Sequence, residues 1–300
     1  MLDVSVIVAT RGRPEQIAGC VESILANGGA FEVLFVDQSD DASTELALAG
    51  YLADPRLRYL RSATRGVSAA RNAGIAATTG RLVAFTDDDC RVAPDWIERM
   101  LAVFRADPAV AVVCGRVRAP AGADLIGFTP VFEPRTRVYA GVLPRPEEWG
   151  ISANMGVRRE VFREVGPFDD LLGVGAPLGS AAEYELLFRV WQAGRTVVNA
   201  AEVEVTHFGT RAPGDETRAL LLRYSYGTAA AFVKHVRLGE LAAVTLYVRW
   251  LTRLLARNVR AVVTGTRPTG LSVTAAFVRG SVASFRYRLD RHTRMYAVRR

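Results

Sequence analysis

Four nearly continuous apolar runs constrain the fold of this chain more than any other feature: residues 4–9 (VSVIVA), 31–36 (FEVLFV), 82–85 (LVAF) and 110–117 (VAVVCGRV). None keeps the polar/apolar alternation of a strand with one wet face, so each reads as a strand buried on both sides. Helical patterns separate them, at 14–26, 42–53, 67–77 and 94–105, with Pro14 and Pro94 at the first turn of their helices and a short strand at 57–60. Strands alternating with amphipathic helices at this spacing predict a parallel sheet covered by helices on both faces. Right-handed crossovers then bring the strands' carboxyl ends to one edge, where ligands of open α/β sheets bind.

That edge is expected to carry Thr10 and Arg11, then Asp37, then Asp87, Asp88 and Asp89. Along an extended chain Asp87 and Asp89 project to the same side and Asp88 to the other, which makes Asp88 the internal control for substitutions of the pair. Two carboxylates so close share a proton or hold a cation between them. Oxygen ligands suit Mg²⁺ or Mn²⁺, with coordination positions left for a phosphate. Each residue alone has a plainer reading: an acidic turn before a helix, caps at Thr10 and Asp37, solvated Arg11 and Arg13. Three strands delivering polar groups to one rim favour a ligand site. No GxGxxG follows the first strand and no GxxxxGK[ST] occurs, which argues against a dinucleotide fold and a P-loop. Phosphates are then left to the cation and to arginines, with Arg65 and Arg71 in RGVSAARNAG at a helix start whose backbone N–H groups suit an anion.

Further on, residues 119–150 hold Pro120, Pro130, Pro134, Pro144 and Pro146 and read as a long irregular insertion. A strand is expected at 151–157, a flexible Gly-rich loop (GVGAPLGSA) before a helix at 182–193, and short strands at 196–198 and 203–206 that end at His207. Cys20, Cys90 and Cys114 are odd in number and lack CxxC spacing, which argues against a disulfide framework and a zinc site and for a reducing compartment. No signal-peptide pattern precedes residue 4, so a cytoplasmic chain is expected.

The ordered set VSVIVATRGRP, VLFVDQSDD, RGVSAARNAGIAATTGRLVAFTDDDCRVAPDWIE, ISANMGVRREVFREVGPFDD and GSAAEYELLFRVWQAG, closed by His207, resembles the family 2 inverting glycosyltransferases over residues 4–207. The resemblance implies a GT-A fold, a Rossmann-like, mostly parallel α/β sheet. It also implies metal-dependent transfer of a sugar from a nucleotide sugar, UDP or dTDP, to a hydroxyl of a glycan or lipid-linked acceptor, in cell-surface polysaccharide synthesis. Its roles carry over by position. Thr10, Arg11, Asp37, Arg71 and Asp87 fall on the nucleotide, with Asp37 on the base; Arg65, read above from its place beside the helix start, is expected to join them. Asp87, Asp89 and His207 fall on Mg²⁺ or Mn²⁺, and Glu183, six residues before Arg189, on the catalytic base. Two positions depart from the pattern: Ala182 replaces the first acid of the usual pair, and Gln38 stands where Asp or Asn is common. Glu185 lies about 200° from Glu183 around a helix, so both cannot serve.

The charge of +7 is unevenly placed: residues 1–210 hold 21 arginines against 27 acids, and residues 211–300 hold 17 basic residues against 4 acids. Among the 38 basic residues Lys234 alone is not an arginine. We therefore divide the chain into a GT-A domain, 1–210, and a helical, Arg-rich C-terminal region, 211–300. In the latter Arg249, Arg253, Arg257 and Arg260 share an arc of about 80° on a helix. Charges interrupt its apolar runs too often for a span. The expected uses of this region are peripheral contact with an anionic membrane at the inner face, packing on the catalytic domain, or a homo-oligomer contact. Two competing functions are a nucleotide-sugar-binding protein without catalysis, motivated by Ala182, and a nucleic-acid binder, motivated by the basic tail. No nucleic-acid motif supports the second.

Overall fold

The computed structural model describes residues 2–123, 127–143, 148–264 and 270–297. The chain runs β1 (Val4–Thr10), α1 (Pro14–Leu25), β2 (Phe31–Asp37), α2 (Ser43–Leu48), β3 (Leu57–Arg61), α3 (Val67–Ala77), β4 (Leu82–Asp87), β5 (Cys90–Val92), α4 (Trp96–Ala106), β6 (Val110–Arg118), β7 (Arg137–Tyr139), β8 (Met155–Arg158), α5 (Val161–Glu164), α6 (Ala182–Gln192) and β9 (Thr196–His207). Three long helices follow, α7 (Asp215–Arg237), α8 (Leu241–Val263) and α9 (Leu271–Ser284), then the small hairpin β10 (Arg288–Leu289) and β11 (Tyr296–Ala297).

The main sheet has the order β3-β2-β1-β4-β8-β6-β9-β5, with β7 added on β9. The pairs among β1 to β4 and β6–β9 are parallel, but β8 runs antiparallel to both β4 and β6, so the sheet is mostly rather than wholly parallel. Val6, Val8, Val33, Phe35, Val83 and Phe85 lose all or nearly all their exposure, as strands covered on both faces should.

Several elements differ from the sequence reading. The strand expected at 151–157 begins only at Met155, because Ser152–Asn154 form a 3-10 turn. Asn154 there accepts the Trp96 indole N–H (2.8 Å) and donates to Arg116 O (2.8 Å) and Val203 O (2.9 Å), so its side chain takes the place of ladder bonds. The two short strands near the end of the first 210 residues are one strand, β9, with a register shift opposite Gly115 and Arg116. The helices expected at 42–53 and 94–105 are Ser43–Leu48 and Trp96–Ala106. The 119–150 insertion is tied down by β7 and by bridges from Val117 to Phe132 and Phe128 to Arg211; its residues 124–126 and 144–147 lie outside the described residues, as do 265–269 between α8 and α9.

The C-terminal helices pack onto α6. Phe188 of α6 joins Phe232, Leu246 and Phe277 in a second apolar cluster. Beside it is a buried ion cluster: Lys234 of α7 donates to Asp169 (2.6 Å) and Glu185 (2.7 Å), and Arg189 clasps Glu185 with two 2.8 Å bonds. Among the described residues no helix is long and apolar enough to cross a membrane.

Candidate active site

The sheet register sets the rim. Thr10 lies opposite Asp37, and Ala9 opposite Asp87, so three strand ends meet at the carboxyl edge. Asp87, the last residue of β4, is partly exposed, and Arg71 of α3 donates to its Oδ1 (3.1 Å). Arg71 is buried beside the Phe85 and Phe168 rings, and its Nη1 has no hydrogen-bond partner. A buried guanidinium N–H without a partner is costly, which suits one reserved for a ligand.

Three residues beyond Asp87, Cys90 pairs with His207 in the antiparallel β5–β9 ladder. That pairing, between residues 117 positions apart, brings His207 to Asp89, with His207 Nε2 3.4 Å from Asp89 Oδ1. Among the described residues, ligating atoms of Asp87, Asp89, Cys90 and His207 all lie within 4.8 Å of one another. Asp89 Oδ1 is buried with no hydrogen-bond partner, so the donor set suits a cation. Two carboxylates and an imidazole select a hard or borderline divalent ion such as Mn²⁺ or Mg²⁺. Burial pushes the Cys90 thiol well above its ordinary pKa, which keeps it protonated and a poor ligand. Gly209 walls the cluster, since a Cβ there would stand 2.1 Å from Asp89 Oδ2. Its N–H donates to His207 Nδ1 (3.1 Å), which puts the proton of a neutral ring on Nε2.

Asp88 is not the neutral control expected. It is 4% exposed, accepts the Thr10 hydroxyl (2.8 Å) and pairs with Arg13 (3.1 Å), which also reaches Asp89 (3.0 Å). Burial raises its pKa to about 6 against the pull of Arg13. Arg13 is therefore not a solvated side chain, and Thr10 faces the acid cluster. Asp37 is fully buried, accepting Ser39 N–H (2.8 Å) on one oxygen and the Tyr59 hydroxyl (2.9 Å) on the other. Arg11 and Arg65 converge instead on exposed Asp40, and Arg65 also donates to Gln38 O (2.6 Å). At the start of α3 the Val67 N–H is taken by Val174 O (2.9 Å), which, with Ser68 Oγ on Leu172 O (2.6 Å), anchors the Gly-rich loop expected to be flexible.

Glu183 stands in the first turn of α6, after Ala181, whose φ of 67° is left-handed for a non-glycine residue. Burial raises the Glu183 pKa; Arg71 opposes the rise and Asp87 adds to it, so the carboxylate shares the electrostatic environment of the β4 end. Ala182 is fully buried against Gly173. On the opposite face Glu185 is held well below the usual carboxylate range: burial pushes it up, but Arg189, Lys234 and His235 outweigh that. Tyr224 of α7 also belongs here, its phenol pushed up to about 12 by burial and then by Glu183 and Asp87.

Residues 5–166 match the family described as Glycosyl transferase family 2. The chain belongs to glycosyl transferase family 2. It is 28% identical over 230 residues to the glucosyl-dolichyl phosphate glucuronosyltransferase of Haloferax volcanii, covering 69% of each chain. Several other curated relatives are matched over about a third of their own length or less. Two solved structures share the fold. One is S. aureus TarS 1–349 in complex with UDP-GlcNAc, with a TM-score of 0.66, 14% identity, and 95% of this chain and 81% of that one covered. The other is the mannosyltransferase PcManGT from Pyrobaculum calidifontis with GDP-Man and Mn²⁺, with a TM-score of 0.62, 18% identity, and 94% and 86% covered. The fold of this family 2 glycosyltransferase is thus GT-A. Its sequence reading missed Arg13, Gly209 and Tyr224. The first was legible only as one more loop arginine, and the other two reach the rim through pairings made late in the chain.

Proposed function

We propose that the protein transfers a sugar, with inversion, from a UDP- or dTDP-sugar to a hydroxyl of a glycan or lipid-linked acceptor in cell-surface polysaccharide synthesis, peripherally at the cytoplasmic face of the membrane. One observation carries the reading: Asp87, Asp89 and His207 converge at the carboxyl edge of the sheet while a half-buried, raised-pKa Glu183 lies in the same field as Asp87 and Arg71. Mg²⁺ or Mn²⁺ held by Asp87, Asp89 and His207 would neutralise charge on the departing diphosphate. Arg71, with its Nη1 unspent, would share that load. Glu183 would take the proton of the acceptor hydroxyl as its oxygen attacks the anomeric carbon from the face opposite the diphosphate. Asp37 would hold the base, with Arg11, Arg65 and Thr10 bordering the nucleotide. The lipid-linked acceptor is supported by the glucosyl-dolichyl phosphate in the name of the Haloferax relative.

A thermal-shift panel of UDP-, dTDP-, GDP- and CMP-sugars with and without Mn²⁺ tests the donor assignment. Stabilisation by a UDP- or dTDP-sugar that requires metal is expected. A response confined to GDP- or CMP-sugars would overturn the base assignment of Asp37, and no response at all would sink the transfer reading.

A further inference from the structure

The exposed side of the α8–α9 pair is apolar in its middle and basic at its rims. On α8, Val248, Leu255, Val259 and Val262 lie within an arc of about 60°. They are 48–66% exposed, as are Val278 (49%) and Val282 (60%) on α9. The placement of these stripes follows from what each helix touches. Trp250 of α8 meets Phe232 of α7 (6.4 Å between rings), while Tyr247 and Asn258 face α9 through Phe277 (5.0 Å) and Thr274 (2.9 Å). In α9, Val273 O accepts from Ser225 of α7 (2.8 Å), and Ser281 faces Tyr247 (3.1 Å).

At about 100° per residue, the α7-facing side, the side facing the other helix and the exposed stripe follow in the same order around both helices. In an antiparallel pair that order turns both stripes to the side away from α7, where they adjoin. Exposed Arg249, Arg253, Arg257 and Arg260 continue round α8 on its outer flank, and Arg279 does so on the outer flank of α9. No Asp or Glu occurs between Glu240 and Asp290.

We propose that this face docks on an anionic lipid bilayer, with the valine and leucine stripes entering the headgroup boundary and the arginine rims meeting lipid phosphates. An apolar stripe bordered by cations is what such a surface binds. Two copies packed on this face would set arginine rim against arginine rim, which disfavours a dimer as its cover. The proposal deepens the peripheral placement given above, and its test needs no sugar donor.

The full chain is sedimented with phosphatidylcholine vesicles, alone or with about a third phosphatidylglycerol. Binding to the anionic vesicles only, weakened by salt, is expected. Arg257→Glu with Arg260→Glu should weaken it at least about tenfold, because each surface cation contributes several-fold. Val259→Asp with Val282→Asp should abolish it, while circular dichroism and the donor-induced thermal shift stay at wild-type values, since all four positions are exposed and far in sequence from the site. Absent binding to anionic vesicles, or binding that both variant pairs leave unchanged, overturns the proposal. So does a concentration-dependent dimer that Val259→Asp dissociates in a chain that ignores vesicles. Vesicle binding in a protein that responds to no nucleotide sugar would sink the transfer reading and leave this one standing.

Discussion

Lys234→Ala is expected to destabilise the protein by about 3–5 kcal/mol, the usual cost of breaking a buried ion pair by removing one partner. The ammonium is fully buried and donates to Asp169 and Glu185. Its loss leaves Asp169 with the Tyr296 N–H (2.9 Å) and the Leu171 N–H (3.1 Å) and shifts Glu185 onto Arg189 and His235 alone. The cluster joins α6, α7 and the C-terminal hairpin, so the damage spreads across the junction between the first 210 residues and the tail. The thermal midpoint should fall by roughly 10 °C at 2–4 °C per kcal/mol. A fall of a degree or less would show that the cluster contributes little net stability. Acid should act through the same group. Glu185 has its folded pKa depressed, so its contribution is present above the ordinary glutamate value and is lost only as pH falls towards the depressed one.

Glu183→Gln should lower kcat for transfer by about 10²–10⁴-fold, the range for loss of a positioned general base, while donor binding persists. The amide keeps the shape of the first turn of α6 and removes the proton acceptor. Because burial raises the Glu183 pKa above its reference value of 4.5, kcat/KM in the wild type should rise with pH along a limb displaced above the ordinary glutamate range. That limb should vanish in the Gln variant. Equal transfer by both proteins, or a limb unchanged by the substitution, would take the base role from Glu183.

Much of this was legible in the sequence. Apolar runs fixed β1, β2 and β4 nearly to the residue, and their polar ends, Thr10, Asp37 and Asp87, do share an edge. What stayed hidden depends on pairings between distant segments. Cys90–Val92 is too short to read as a strand, yet its pairing with β9 seats His207 beside Asp89. Asp88 read as an outward-facing residue because alternation says nothing about Thr10 and Arg13 waiting on its other side. Lys234 offered a signal that composition alone could have raised. In a chain whose other basic residues are all arginine, one lysine marks a site where a compact ammonium with three rotatable donors fits and a planar guanidinium does not.

Calorimetric titration of the UDP- or dTDP-sugar selected by the thermal-shift panel, in Mn²⁺ and in EDTA, on wild type and Asp89→Ala, bears most directly on the metal-dependent donor site. Binding in Mn²⁺ that weakens at least about tenfold both in EDTA and in Asp89→Ala is expected, because the Asp89 carboxylate then acts through the ion. Equal affinity in Mn²⁺ and EDTA, or in wild type and Asp89→Ala, would contradict it.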